Sequence, residues 1–423
     1  MKHIVTFVFF MMAAFSLNAQ YDRYFTDEQL RFDYFMFGNA DTSVYAYDKM
    51  LREPSWGGSK TNLIDSFNYG NYKVEVLLHD SDVVLYSRGY CTLSGEWQTT
   101  EESRECWRGF PESVVVPFPK ETVDIVLSKR GDDGLFTETF RYTVNPEDYF
   151  IRPANKQPYE IFNVCGDVDP AHAVDIVILP DGYSAEEMEQ FKEDCTRFAE
   201  IVFSYQPYTK YKDKFNIRAI LAPSIESGID EPGHGIYKST VLNSSFYTFD
   251  TERYCMTFDN NAIRDLAGMV PYDQIYILAN SKTYGGGGIF NFYSLSSAGN
   301  NSTPDVIIHE FGHAFAGLAD EYYDDSGSYE EFYKMDVEPW EPNITTLVDF
   351  ESKWKDMLDK NTPVPTPDTE KYDTKVGVYE GGGYEPKGVY RSKRDCLMKS
   401  FRGHVFCEVC TKAIERMILF YSE

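Results

Sequence analysis

The sequence is poor in histidine, cysteine and positive charge, and each scarcity excludes something. It holds seven histidines and eight cysteines in 423 residues. Cysteine at that density is not the framework of a disulfide scaffold, which crowds its cysteines into a short chain. Forty basic against 67 acidic side chains leave a net charge of −27. A surface so negative repels phosphate backbones and anionic head groups, which removes nucleic acid as a partner. Beyond the N-terminus no apolar run is long enough to cross a bilayer. There is no internal repeat and no low-complexity tract. The glycines at 285–288 are followed by Ile289 and Phe290, not by Lys-Ser or Lys-Thr, so they are not a phosphate loop. They are read here as a flexible run.

What is present is apolar and aromatic. Hydrophobic residues make up 43% of the chain, with 32 Tyr and 31 Phe, which is enough for packed cores and argues against disorder. Residues 1–19 have the pattern of a signal peptide: Lys2, an apolar stretch over 4–15, then small Ala19 after Asn18. The expectation is export, to the medium, periplasm or cell surface, with no membrane insertion once this leader is removed. No Cys stands at the cleavage point, so a lipid anchor is not expected.

Residues 20–150 read as a small β-sandwich. Short alternating strands are predicted at 73–78, 83–86, 123–127 and 136–144, the last two joined by the turn residues 131–134. Cys91 and Cys106 are close enough in sequence to pair. Prolines 146, 153 and 158 mark a boundary. In residues 151–423 the pattern changes to strand, helix, strand: strands at 174–179, 215–221 and 274–278, and a helix from Ser184 towards Tyr205 with Glu187 completing a capping box. The fold class is α+β, a mixed sheet with helices behind a β-sandwich.

The chemistry sits between Thr303 and Tyr322. Thr303 is read as an N-cap, Pro304 suits the first helical position and Asp305 favours the helix dipole. His309 and His313, four apart on one helix, share a face and can reach a single Zn²⁺. Glu310 lies where it can act as general base on water at the metal. Gly317 ends the helix in the left-handed conformation, and the returning chain offers Asp320, or its neighbour Glu321, as the third ligand. Two of only seven histidines at this spacing around a Glu is a poor match to an ordinary amphipathic helix.

This segment, HEFGHAFAGLADEY, resembles the signature of the bacterial IgA peptidase family of metalloendopeptidases, which is metzincin-like. The likeness extends over most of 160–423, and the β-rich part is similar to the accessory domain that precedes such peptidases. The resemblance implies a zinc-dependent endopeptidase acting on protein or peptide, immunoglobulin among the candidates. It also implies that Cys396-Leu-Met398 is a Met-turn, with Met398 packed beneath the metal. The chain departs from the metzincin spacing by one residue, since Gly317 and Asp320 fall eight and eleven positions after His309. Ser400 stands where a Tyr often follows the Met, so an oxyanion-stabilising Tyr has to come from elsewhere, Tyr384 and Tyr390 being candidates. Cys396, His404, Cys407 and Cys410 cluster in sequence. They are readable as a structural zinc site, as one disulfide, or as buried thiols. His79, His172 and His234 lack ligand spacing. The rival readings are a non-catalytic binding protein on the same fold, and an adhesive protein working through its β-domain. Substrate and oligomeric state are not specified by these residues.

Overall fold

The computed structural model describes residues 20–323 and 333–423; the expected leader, 1–19, lies outside them. The N-terminal part is two sheets face to face, antiparallel except where the last short strand runs parallel to its neighbour. Its strands are β1 (Phe25–Gly38), β2 (Ser43–Glu53), β3 (Tyr72–Leu78), β4 (Val84–Tyr90), β5 (Arg108–Pro119), β6 (Val123–Arg130), β7 (Phe136–Val144) and the short β8 (Arg152–Pro153). One sheet runs β5-β1-β2-β8, the other β4-β3-β6-β7. The period-2 alternation of β-strands sends Leu30, Phe32, Tyr34 and Met36 inward from β1, against Val74 and Val76 of β3 and Ile125 and Leu127 of β6.

The opposite face of β1 is also buried, and there the residues are polar. Arg31 donates to Asp33 at 2.7 Å, and reaches Asp265 at 2.6 Å and Asn261 at 3.1 Å. Asn261 and Asp265 belong to the helix Asn260–Ala267 of the second domain. The sandwich therefore docks by charge-assisted hydrogen bonds, and the alternation of β1 separates an apolar core from a polar interface.

The second domain is built on a six-stranded mixed sheet. Its strands are β9 (Glu160–Cys165), β10 (Val174–Asp181), β11 (Phe215–Leu221), β12 (Gln274–Ala279), β13 (Gly286–Gly288) and β14 (Tyr293–Ser297), in the order β13-β14-β12-β10-β11-β9. β10, β11, β12 and β14 are parallel, while β9 and β13 close the edges antiparallel. Both faces are covered, so β10 is buried along its whole length. Ile176 and Ile178 pack towards the helices Met188–Ser204 and Thr303–Ala316. Val177 and Leu179 pack towards Ile263 and Leu266 of the helix Asn260–Ala267. A small sheet of β15 (Ile344–Thr345), β16 (Tyr379–Gly382) and β17 (Glu385–Arg391), and the C-terminal helix Glu408–Ser422, complete the domain. No helix among the described residues is long and apolar enough to cross a membrane.

Several expectations need correction. The capping box of Ser184 and Glu187 is present, but its first turn is 3₁₀ before the α-helix begins at Met188. Thr303 is the first residue of its helix, with Ser302 at the cap position; its hydroxyl donates to Ser297 O and accepts from Asn300 N. The strand expected at 83–86 runs on to Tyr90 as β4. The glycines at 285–288 are not flexible: they include edge strand β13, pressed against the helix Thr303–Ala316. A Cβ on Gly288 would lie 2.4 Å from Glu310 O, so only glycine allows that approach. Cys91 and Cys106 do not pair, and all eight cysteines are free thiols.

Candidate active site

His309 and His313 lie on the helix Thr303–Ala316, whose apolar residues Ile307, Ile308, Phe311 and Phe315 face the core. Their Nε2 atoms are 3.1 Å apart. Gly317 ends the helix at φ 64°, and its N–H and that of Leu318 return to His313 O and Gly312 O. A side chain there would meet the Trp340 ring at 2.8 Å, so Gly317 meets both a conformational and a spatial demand. The chain then turns back and brings Asp320 Oδ1 to 3.1 Å from His309 Nε2 and 3.4 Å from His313 Nε2. Glu321 points away from this group. Its N–H donates to Met398 O, and its carboxylate meets Cys410.

The tautomers follow from the hydrogen bonds. His309 Nδ1 faces Leu397 O at 3.2 Å, and His313 Nδ1 faces Leu318 O at 2.6 Å. Carbonyl oxygens only accept, so both Nδ1 atoms carry protons and both Nε2 lone pairs point at Asp320. Asp320 Oδ1 is buried with no hydrogen-bond partner. Three acceptors converging on one point repel each other unless a cation or a proton lies between them. The electrostatics agree. Burial pulls His313 down, but the charge of Asp320 outweighs it and pushes the imidazole up to about 9. Burial would raise Asp320, yet the two histidines hold it well below the usual carboxylate range. The donor set therefore fits a metal ion, and its nitrogen and oxygen atoms suit zinc.

Glu310 is raised above its ordinary value, chiefly by burial; the histidines beside it and Arg253 oppose the shift and Asp320 adds to it. Met398 is fully buried under Gly312, where an added Cβ would lie 3.1 Å from its sulfur. Tyr384 donates to Asp320 Oδ2, which commits it to orienting that carboxylate. Tyr390 sits on β17 and does not line the cleft. His404 faces Asp305 at 2.6 Å and takes no part in the cysteine cluster.

The site opens into a cleft of about 2000 Å³, large enough for a polypeptide. One wall comes from the sandwich domain: Thr92, Gly95, Glu96 and Arg130 line it. Glu96 accepts a hydrogen bond from Tyr254, and burial pushes its carboxyl up to about 7. Sequence reasoning saw nothing catalytic in this domain and missed Glu96, Arg253 and Tyr254. No local pattern marks them, because the Glu96–Tyr254 contact joins residues 158 positions apart.

A family profile described as IgA Peptidase M64 matches residues 162–374 and 368–418. The chain belongs to the IgA peptidase M64 family. A second profile, Peptidase M64 N-terminus, matches residues 20–141. The M64 chain is thus a peptidase, a hydrolase whose substrates are proteins or peptides, with the N-terminal domain characteristic of its family. A search of curated proteins found no match. Among the described residues of this M64 peptidase, two groups of side chains could hold a metal ion, His309, His313 and Asp320 being one of them.

Proposed function

We propose that this peptidase is an exported, zinc-dependent endopeptidase of metzincin-like architecture, with His309, His313 and Asp320 as metal ligands and Glu310 as general base. The observation that carries the reading is the convergence of two imidazole lone pairs and an unpartnered buried carboxylate oxygen beside Glu310, at the wall of a peptide-sized cleft. Zinc held there would supply Lewis acidity, polarising the scissile carbonyl and making water nucleophilic near neutral pH. Glu310, desolvated and raised, accepts the proton of the attacking water and returns it to the leaving amine. Tyr384 holds Asp320, and the Leu397 and Leu318 carbonyls hold the two imidazoles, so the donors need little reorganisation. The cleft, walled by both domains, has room for extended chain on either side of the reacting bond. The family's description supports an immunoglobulin or other host protein as substrate.

The test is metal removal and return. Dialysis of the purified protein against a chelator should abolish cleavage of casein and of a quenched peptide library, and zinc should restore it. Full cleavage by protein shown to be metal-free would end the proposal.

A further inference from the structure

A second cluster lies on the other side of the same turn. Glu321, Cys396, Cys407 and Cys410 are all buried, and their donor atoms lie within 4.8 Å of one another. Cys410 Sγ is 3.2 Å and Cys407 Sγ 3.9 Å from Glu321 Oε1, and Cys396 Sγ is 3.8 Å from Cys410 Sγ. Asn343 Nδ2 donates to Glu321 Oε1 at 3.1 Å, while Glu321 Oε2 is buried with no partner. A carboxylate oxygen sealed from water and left unpaired is costly, because nothing replaces the hydration it has lost. One disulfide does not relieve this: joining Cys396 to Cys410 would still leave Glu321 and the Cys407 thiol facing each other in the dry.

We infer that Glu321, Cys396, Cys407 and Cys410 form a second metal site, a closed structural one for zinc. Three sulfurs and one carboxylate oxygen complete a tetrahedral set with no position open to solvent or substrate, and thiolates select zinc over magnesium or calcium. The surrounding donors are placed for thiolates. Cys407 N–H reaches Cys396 Sγ at 3.2 Å, Cys410 N–H reaches Cys407 Sγ at 3.4 Å, and the Ser392 hydroxyl is 3.2 Å from Cys407 Sγ. Cys407 is the N-cap of the helix Glu408–Ser422, where the helix dipole favours negative charge.

The site braces the cleft centre. Cys396 begins the turn whose Leu397 carbonyl holds His309 and whose Met398 carbonyl holds Glu321 N–H, and Glu321 follows Asp320 directly. One ion would tie the chain after the active-site helix, the Met-turn and the C-terminal helix together.

The deciding experiment uses the full-length double variant His309→Ala/His313→Ala, which lacks the cleft donors. Purified without added metal, it should retain one zinc per chain by mass spectrometry of the metal content. Exchanged with Co²⁺, it should show thiolate-to-cobalt charge-transfer absorption, which is lost on adding Cys410→Ser. If that triple variant fails to fold, the zinc content and cobalt spectrum of the double variant decide alone. A double variant with no metal, a bound cobalt without the charge-transfer band, or a Cys396–Cys410 disulfide in non-reducing peptide maps would each overturn the inference. A wild-type protein that binds this ion but cleaves nothing would count against the proposed function and leave this site standing.

Discussion

Asp320 and Glu321 are neighbours in the chain, yet they serve two unlike clusters. Asp320 turns to two imidazoles at the edge of a cleft, while Glu321 turns to three thiols sealed in the core. The segment is extended: Asp320 O and Tyr322 O accept from Gly383 N and Tyr384 N on one side, and Glu321 N donates to Met398 O on the other. Successive side chains of an extended segment point to opposite sides, so one peptide bond separates a nitrogen–oxygen site at the cleft wall from a closed sulfur-rich one. The difference teaches what each is suited for. A three-donor site at a cleft leaves room for water and substrate, whereas a four-donor site without access can only hold structure.

The largest expected effect falls on the open cluster. Glu310→Gln keeps size and helix propensity and removes no donor of either cluster. Peptide hydrolysis should drop by roughly 10²–10⁴-fold while metal content and melting temperature stay near wild type. Near-normal hydrolysis would show that another group activates the water; a loss of metal would show that Glu310 is a ligand. Next comes the pair that tests the division itself. Asp320→Ala should lose the cleft metal and activity with a modest change in melting temperature, and Glu321→Ala should cost more in melting temperature. If Glu321→Ala removes the cleft metal and Asp320→Ala does not, the two carboxylates have been assigned the wrong way round.

A smaller effect is expected one shell out. Tyr384→Phe removes the hydroxyl that donates to Asp320 Oδ2. Partners of metal ligands typically matter by about 10–100-fold in affinity or activity, so the variant should need more zinc for half-maximal hydrolysis by a factor in that range. If kcat falls at saturating zinc with metal affinity unchanged, the Tyr384 hydroxyl acts on substrate instead, as the sequence reading had allowed.

The two clusters were not equally legible in the sequence. His309, Glu310 and His313 sit within one helical turn and a half, and local spacing suffices to place them on one face. The choice between Asp320 and Glu321 rested on spacing alone. The two carboxylates are turned to opposite sides by contacts from residues 383–384 and 398, far along the chain. The three cysteines were visible as a group with His404, open to reading as a zinc site, one disulfide or buried thiols; His404 instead faces Asp305. Glu321 joins them from 75 positions before Cys396, and no short pattern carries that. The sandwich was legible through alternating strands. Its place in the cleft was not, because Glu96 and Arg130 meet the peptidase domain only through packing of the whole molecule.

The smallest effect concerns a buried carboxylate that belongs to neither cluster, and it sharpens what a metal would do for Glu321. Glu112 of β5 is buried; burial pushes it up to about 8, against the pull of the Ser94 N–H, 3.3 Å away, and of the Arg264 charge. The Arg264 charge does not offset burial, so this group is neutralised by its own proton. Its ordinary value is 4.5, so between about 4.5 and 8 the folded protein holds a proton that the unfolded chain has released. Stability from this group is therefore present below pH 4.5 and is lost as pH rises through 8, at up to about 1.4 kcal/mol for each pH unit. Glu112→Gln keeps an acceptor for Ser94 and has no proton to lose. Denaturant titrations should find the variant close to wild type at pH 5 and more stable than wild type at pH 8. Parallel pH profiles for the two proteins would mean that Glu112 is ionised in the fold and paired with Arg264. A buried carboxylate here would then be tolerated without either a proton or a metal, and the unpartnered oxygen of Glu321 would lose force as a sign of a bound ion.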